Sequence, residues 1–151
     1  MLKFFLIFLS IFLITNNAQA HEHHPPHGGT LVEFGEEFAH LEFVFNAEQG
    51  ILTAYSLDGE AEQPIRLKQK KIQLNIVLPF NGKTFPLSMN AVENPLTGES
   101  IGDTSEFQGQ SDALKHSSSF NAVLSEVAIK GGDFKEVEFN YPAGNENHGK
   151  A

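Results

Sequence analysis

Hydrophobic and polar side chains alternate through most of this 151-residue chain, and this alternation limits the possible folds more than any other feature. In residues 38–45, for example, Leu41 and Phe43 fall on one face while His40 and Glu42 fall on the other. A repeat of two is the period at which the side chains of a β-strand point to the same side. No segment shows a sustained period of 3.6 residues, so the chain is predicted to be all-β.

Turn residues divide the alternating segments. Asp58–Gly59 and Asn81–Gly82 predict tight hairpin turns. Residues 92–109 are rich in Asn, Pro, Gly, Ser and Thr and predict a long surface connection, and residues 111–116 are long enough for one helical turn. The predicted strands cover 31–34, 38–45, 51–57, 64–67, 72–78, 85–91, 121–129 and 134–141. We therefore expect an antiparallel β-sandwich, or a partly open barrel, of seven or eight short strands.

The first 20 residues have the composition of a secretory signal peptide. Lys3 gives a positive start, residues 4–14 form an apolar run broken by Ser10, and Ala18 and Ala20 are the small residues that precede a cleavage site. The apolar run is shorter than the roughly 20 residues that span a bilayer, so we expect no membrane insertion after the signal is removed. We predict export, with the bacterial periplasm as the preferred compartment.

Removal of 20 residues from the 151-residue chain leaves 131, enough for one domain with a single hydrophobic core. We divide the chain into a signal peptide (1–20), a histidine-rich segment (21–29), a β-domain (30–142) and a flexible tail (143–151). Ten of the 14 phenylalanines lie beyond the signal. They supply the large apolar side chains that a core without tryptophan needs.

The composition excludes several functional classes. With 19 acidic and 10 basic residues the formal net charge is −9, so the surface repels nucleic acid and anionic lipid. The chain has no cysteine, which excludes disulfides, thiolate ligands and a blue-copper site. It has no His-Glu-x-x-His and no phosphate-binding glycine loop, and we therefore expect that it is not an enzyme.

Four of the seven histidines lie within nine residues, at His21, His23, His24 and His27, directly after the predicted cleavage site. A neutral imidazole offers a nitrogen lone pair to transition metals near neutral pH. The alternative is a solvated, histidine-rich end with no binding role. We interpret the segment as a site for a divalent transition metal, with copper(II) favoured and nickel or zinc as the other candidates.

Cleavage after Ala20 would place His23 third in the processed chain. The terminal amine, the amide nitrogens of Glu22 and His23, and the His23 imidazole then supply four nitrogen donors in one plane, which suits copper(II) or nickel(II). A proline at either amide position would lack the N–H that such a site must deprotonate, and the prolines come later, at 25 and 26. The prediction therefore depends on cleavage at that single bond.

The pair Pro25–Pro26 favours polyproline II, in which every third residue lies on the same side. His24 and His27 are therefore predicted to share one side of the chain. Gly28–Gly29 gives the freedom to bend that two ligands of one metal require.

Three histidines lie outside the segment. His40, with Glu42 on the same outward strand face, would complete a site with the amino-terminal histidines if the first strand (31–34) folds back beside the second (38–45). The alternative is that both side chains are solvated on that face. His116 is predicted to lie in a loop or at a helix end, and His148 in the flexible tail.

One group of short stretches carries a resemblance. It consists of Pro26-His27-Gly28-Gly29, Leu31-Val32-Glu33-Phe34-Gly35, His40-Leu41-Glu42 and Tyr55-Ser56-Leu57-Asp58. This pattern resembles one found in small exported bacterial proteins and at the amino end of periplasmic adaptor subunits of heavy-metal efflux pumps of the resistance-nodulation-division class. The resemblance covers about the first 40 residues after the signal.

The resemblance implies a periplasmic role in which His27 and the preceding histidines hold a metal for an efflux system or for metal homeostasis. It implies the metal ion, and an efflux adaptor or another envelope protein, as partners. The chain departs from an adaptor because it is too short for the long helical hairpin and further domains. It also lacks the clustered methionines that bind copper(I), having only Met1 and Met89.

The sequence leaves a second function open. The protein would then be a non-catalytic β-sandwich interaction module of the cell envelope, with incidental histidines and the 64–67 strand as an exposed edge. Metal binding, in contrast, predicts competition with protons for the imidazole lone pairs. Affinity should then fall as the pH drops through about 6.5.

Overall fold

The computed structural model describes residues 23–145, which form eight strands and one short 3₁₀ helix. The signal peptide, His21, and the tail beyond Asn145 with His148 lie outside the described residues. The strands are β1 (Thr30–Phe34), β2 (Ala39–Asn46), β3 (Ile51–Leu57), β4 (Lys71–Val77), β5 (Thr84–Ala91), β6 (Glu106–Gln110), β7 (Phe120–Ile129) and β8 (Gly132–Tyr141). The all-β prediction is confirmed.

All eight strands belong to one antiparallel sheet, in the order β1-β2-β3-β6-β5-β4-β7-β8. The sheet curls until its edge strands β1 and β8 approach each other, which makes a nearly closed barrel. Of the two arrangements that the sequence left open, the partly open barrel is the one observed. Curling in this way covers most of the backbone edge that a flat sheet would expose.

Side chains close the seam between β1 and β8. The Asn145 Oδ1 accepts the N–H of Glu33 at 2.8 Å, and the Asn145 Nδ2 donates to the carbonyl of Glu33 at 3.0 Å. At the start of β1, the Thr30 hydroxyl donates to the Pro142 carbonyl at 3.0 Å. Residues 142–145, which the sequence places at or in the flexible end, are therefore held against β1.

The hydrophobic core fills the inside of the barrel. Phe43 of β2 stacks on Phe139 of β8 across it, with ring centroids 4.5 Å apart. In β2 the inward face is the apolar one that the alternation predicts. In β3 the inward-facing residues are Leu52 and Ala54. Tyr55 and its neighbours two residues away consequently lie on the outer face of the barrel. The largest fully buried side chains include Phe34, Phe43, Phe107, Phe120, Leu41, Leu52, Ile72, Leu74, Ile76 and Met89.

Strand β6 lies inside the segment 92–109 that was predicted to be a surface connection, so that prediction is wrong at its end. β6 pairs with β3 along its length and with the last residues of β5. Its sequence has a single large apolar residue, Phe107, which explains why alternation did not show it. Its Gly109 is needed because a Cβ there would lie 2.9 Å from the carbonyl oxygen of Ser88.

The predicted strand at 64–67 is also wrong, since this segment contributes only isolated bridges at Pro64 and Leu67. Asp58–Gly59 does not form a tight hairpin, because the sheet neighbour that follows β3 is β6 rather than the next segment of chain. The loop 58–63 is instead held by the Asp58 carboxylate, which accepts the N–H groups of Glu62 and Gln63 at 2.9 and 3.2 Å.

Two local predictions are confirmed. The Asn81–Gly82 turn joins β4 to β5, with Gly82 at φ +68°. The single helical turn is the 3₁₀ helix Asp112–Leu114, which begins after the capping side chain of Ser111.

Candidate metal site

The candidate site lies on the outer face of β2 and β3. His40 and Glu42 share this face, as predicted, opposite Leu57 and Tyr55 of β3. Both side chains are 0% exposed, so the expectation of a solvated strand face is wrong. The cause is the segment 23–29, which folds back over β2. Its Gly29 lies so close that an added Cβ would be 2.5 Å from the carbonyl oxygen of Phe43.

Glu42 fixes this segment in place. Its Oε1 accepts the backbone N–H groups of His27 and Gly29, each at 2.8 Å, and its Oε2 lies 2.7 Å from Nδ1 of His27. Burying a carboxylate is costly unless it is paired and hydrogen-bonded, and three donors meet that requirement here. The sequence prediction required the first strand to fold back beside the second, and β1 does pair with β2; Glu42 in addition holds the histidine-rich segment against β2.

Two contacts hold the His27 ring. It stacks on Tyr55 with ring centroids 3.8 Å apart and planes inclined by 14°, while Glu42 contacts Nδ1. In a neutral ring the proton then lies on Nδ1, toward the carboxylate, and the lone pair lies on Nε2. Metal-binding histidines in proteins commonly have this carboxylate-backed arrangement. The His27 side chain is 44% exposed, so the ring is accessible from solvent.

The His40 ring has the same arrangement of proton and lone pair as His27, but its hydrogen-bond partner is different. Its Nδ1 lies 3.1 Å from the carbonyl oxygen of Asp58. Because a carbonyl can only accept, Nδ1 carries the proton, and Nε2 holds the lone pair in the neutral ring. The His23 ring contacts His40, with centroids 4.9 Å apart and planes inclined by 73°, and Nε2 of each ring is buried.

The centroid separation of His23 and His40 is one that two ligands of a single metal can have, and it is also an ordinary separation for two rings in edge contact. A metal–nitrogen bond of about 2.0–2.1 Å places the metal about 3.2 Å from the ring centroid. Two rings bound at an angle between about 90° and 110° then have centroids about 4.5–5.2 Å apart. The observed 4.9 Å falls inside that range.

Acidic groups surround the histidines. Glu106 of β6 lies opposite Tyr55, so Glu42, Tyr55 and Glu106 form one row across three strands. Burial raises the pKa of the Tyr55 hydroxyl, and the charges of Glu106 and Glu42 raise it further. Burial, followed by the charge of Glu99, raises the pKa of Glu106, and His27 opposes this shift. The negative field of this row favours a bound cation.

Of the remaining predicted ligands, only His24 lies within the described residues. The polyproline II prediction fails after Pro25, because a turn in which the Gly28 N–H donates to the Pro25 carbonyl at 3.1 Å directs His27 toward Glu42. His24 is exposed. His116 is exposed in the loop after the 3₁₀ helix, at φ +62°. His21 and Glu22, on which the planar amino-terminal chelate depends, lie outside the described residues.

Within residues 23–145, no three His, Asp or Glu side chains converge in a way that could hold a metal ion by themselves. The same part of the chain contains no helix long and apolar enough to cross a membrane. Comparison with protein-family models, with curated proteins and with solved structures gave no match.

Sequence reasoning missed Tyr55, Glu106 and the Asp58 carbonyl. Tyr55 and Glu106 are neighbours because β3 pairs with β6, and no local sequence pattern predicts that pairing. The Asp58 contact arises from the loop 58–63, which resembles a simple hairpin turn in the sequence. The position of His40 two residues before Glu42 was the single signal that pointed to this face.

Proposed function

We propose that this protein binds a divalent transition metal in the periplasm through its amino-terminal histidines and His40. Copper(II) is the preferred ion, with nickel and zinc as the other candidates. Sequestration, or delivery to an efflux adaptor or another envelope protein, is the proposed role, without catalysis. The observation that carries the proposal is the contact of the His23 ring with the buried His40 ring, with centroids 4.9 Å apart.

The two histidines come from elements of different rigidity. His40 lies on β2, between two paired strands, and the Asp58 carbonyl fixes its ring orientation. His23 lies on the segment that Glu42 ties to the same strand. Ligands on strands are held more precisely than ligands on loops, and hydrogen bonds to the second ring nitrogen strengthen a ligand's orientation. The proposal assigns the remaining donors to the terminal amine and to His21.

Two coordination modes make different use of His23. In the planar amino-terminal chelate the imidazole binds through Nδ1, the ring nitrogen nearer the backbone. In the shared site, His23 and His40 bind through Nε2. An alanine added before His21 moves His23 from third to fourth place. It therefore removes the planar chelate and leaves the His23–His40 pair intact.

Isothermal titration of the chain beginning at His21 with copper(II), nickel(II) and zinc(II) tests the proposal. His40→Asn keeps a donor for the Asp58 carbonyl and removes the Nε2 lone pair. We expect it to weaken binding at least about tenfold, in both the native and the alanine-extended chain. His116→Asn is the matched control, because asparagine tolerates the positive φ of that exposed loop position. Unchanged affinity for all three metals in His40→Asn, and in a chain without residues 21–29, would contradict the proposal.

The second candidate function is the non-catalytic interaction module. It is favoured by Leu96 and Ile101, which are 97% and 54% exposed in the connection between β5 and β6. A contiguous exposed apolar patch marks a contact with another protein, and this second proposal assigns both side chains to one such patch. The module predicts that a partner captured from envelope extract is lost with Leu96→Ser plus Ile101→Ser and kept with His40→Asn. The reverse pattern would favour metal-dependent delivery.

A further inference from the structure

His27 and His40 lie at neighbouring points along β2, since His40 is part of this strand and His27 contacts Glu42. His40 and Glu42 are two residues apart on the strand, which separates them by about 7 Å along its length. His23 contacts His40, whereas His27 contacts Glu42 and Tyr55. We propose that His27 and Glu106 form a second divalent-metal position, in which Glu42 is a positioning residue.

The geometry of the His27 ring carries this proposal. Its Nδ1 faces the buried Glu42 carboxylate at 2.7 Å, and because the two ring nitrogens lie on opposite edges, Nε2 points away from Glu42. Stacking on Tyr55 at 3.8 Å holds the plane of the ring, and the hydrogen bond to Glu42 determines which ring nitrogen faces the carboxylate. The ring therefore presents a fixed lone pair on the accessible side of a half-exposed side chain.

Glu106 lies on the same face of the sheet as Tyr55, and the proposal gives it the role of oxygen donor. It lies directly opposite Tyr55, on a strand about 4.8 Å away, while Glu42 lies opposite Tyr55 on the other side. An imidazole stacked on Tyr55 is thus flanked by a buried carboxylate and a half-buried one. Nitrogen and carboxylate donors together suit zinc(II) and copper(II), with water in the remaining coordination positions.

The contacts of His27 with Glu42 and Tyr55 also have an explanation that involves no metal. The His27 ring would then be protonated, and its charge would compensate Glu42 and Glu106 without any metal. The two descriptions differ in the state of Nε2, which carries a proton in the ion pair and a metal in the second position.

Long-range proton–nitrogen spectra of the histidine rings distinguish the two. In ¹⁵N-labelled protein beginning at His21, zinc(II) should shift the Nε2 resonance of His27 while Nδ1 keeps its hydrogen-bonded position. The shift should persist in the His23→Ala plus His40→Asn background. If His23 and His40 respond and His27 does not, the second position is overturned while the proposed function stands. If His27 alone responds, the second position stands and the His23–His40 pair fails.

Affinity and fluorescence provide a second measurement. In the same background, Glu106→Gln should weaken zinc binding about tenfold or more, and the exposed Glu138→Gln of β8 should not. With Tyr141→Phe the chain retains Tyr55 as its single tyrosine and has no tryptophan, so copper(II) at His27 should quench its emission. Equal zinc affinity in both glutamate variants, or Tyr55 emission quenched equally in His27→Gln, would overturn the second position.

Discussion

Asn145 and Glu33 are joined by two hydrogen bonds in which one side-chain amide satisfies both backbone polar groups of a strand residue, at 2.8 and 3.0 Å. The amide thereby takes the place of one rung of the β-ladder at the seam between β1 and β8. Unpaired strand edges invite pairing with other chains, and closing this one by a side chain limits that exposure.

Asn145→Ala should lower the free energy of unfolding by about 1–3 kcal/mol, because both groups of Glu33 lose their partner. Urea denaturation measures this change. Asn75→Ala, at an exposed position of β4, is the control and should stay within about 0.5 kcal/mol. Equal stability of the two variants would show that the seam does not depend on the amide.

Gly28 and Gly29 are predicted to respond differently to alanine. Gly29→Ala places a Cβ 2.5 Å from the Phe43 carbonyl oxygen, so the segment must move away from β2 and the amide of His27 should exchange with solvent faster. Gly28→Ala meets open space and suffers only the cost of its φ of +71°, about 1–2 kcal/mol. Hydrogen exchange of His27 in both variants checks this. Slow exchange in Gly29→Ala would contradict the close approach.

Glu99→Gln should destabilise the fold near neutral pH and have little effect in acid. Burial alone would raise the pKa of Glu99, but hydrogen bonds from Ser105 and Thr97 and the charge of Arg66 outweigh it and hold the pKa below its usual 4.5. A depressed pKa means that the carboxylate contributes stability above about pH 4.5, which is lost as the pH falls through the folded-state value.

We expect this contribution to be below about 1 kcal/mol, since solvent screens a partly exposed carboxylate. Urea unfolding of Glu99→Gln and of the native chain between pH 3 and pH 7 provides the comparison. A stability difference that does not shrink toward low pH would contradict the role given to these hydrogen bonds.

Two phenylalanines should differ strongly in their contribution to stability. Phe107 is 0% exposed and is the main core side chain of β6, so Phe107→Ala should cost about 3–5 kcal/mol. Phe80, in the turn after β4, is 72% exposed, and Phe80→Ala should change stability by less than about 0.5 kcal/mol. Thermal or urea unfolding of the two variants measures these changes in stability. A similar loss of stability in both variants would argue against β6 as a core strand.

The sequence predicted most strands because inward and outward residues alternate, most clearly in β2 and β4, where polar side chains occupy most of the outward positions. It also predicted that His40 and Glu42 share a face. It missed β6, since EFQGQ has one large apolar side chain and a glycine required by close approach to Ser88. It placed a strand at 64–67, where the chain instead bridges the sheet at two single residues.

The burial of the candidate site was beyond sequence reasoning for a different reason. His40 and Glu42 look like solvated strand residues because the cover they receive comes from a polar segment whose path is set by a turn at Pro25–Gly28 and by Glu42 itself. Local patterns describe which way a side chain points, but they do not describe what lies on top of it. The partnership of Tyr55 with Glu106 depends in the same way on long-range strand order.

The contacts of β1 have a consequence for how the protein can be attached to anything larger. Thr30 immediately follows the histidine segment and bonds to Pro142, and Glu33, three residues later, bonds to Asn145. The histidine segment and the last described residues therefore both adjoin one short strand. A partner that binds to the surface formed by Pro142 and Asn145 would thus lie within about 17 Å, the length of five strand residues, of the point where the histidine segment joins β1.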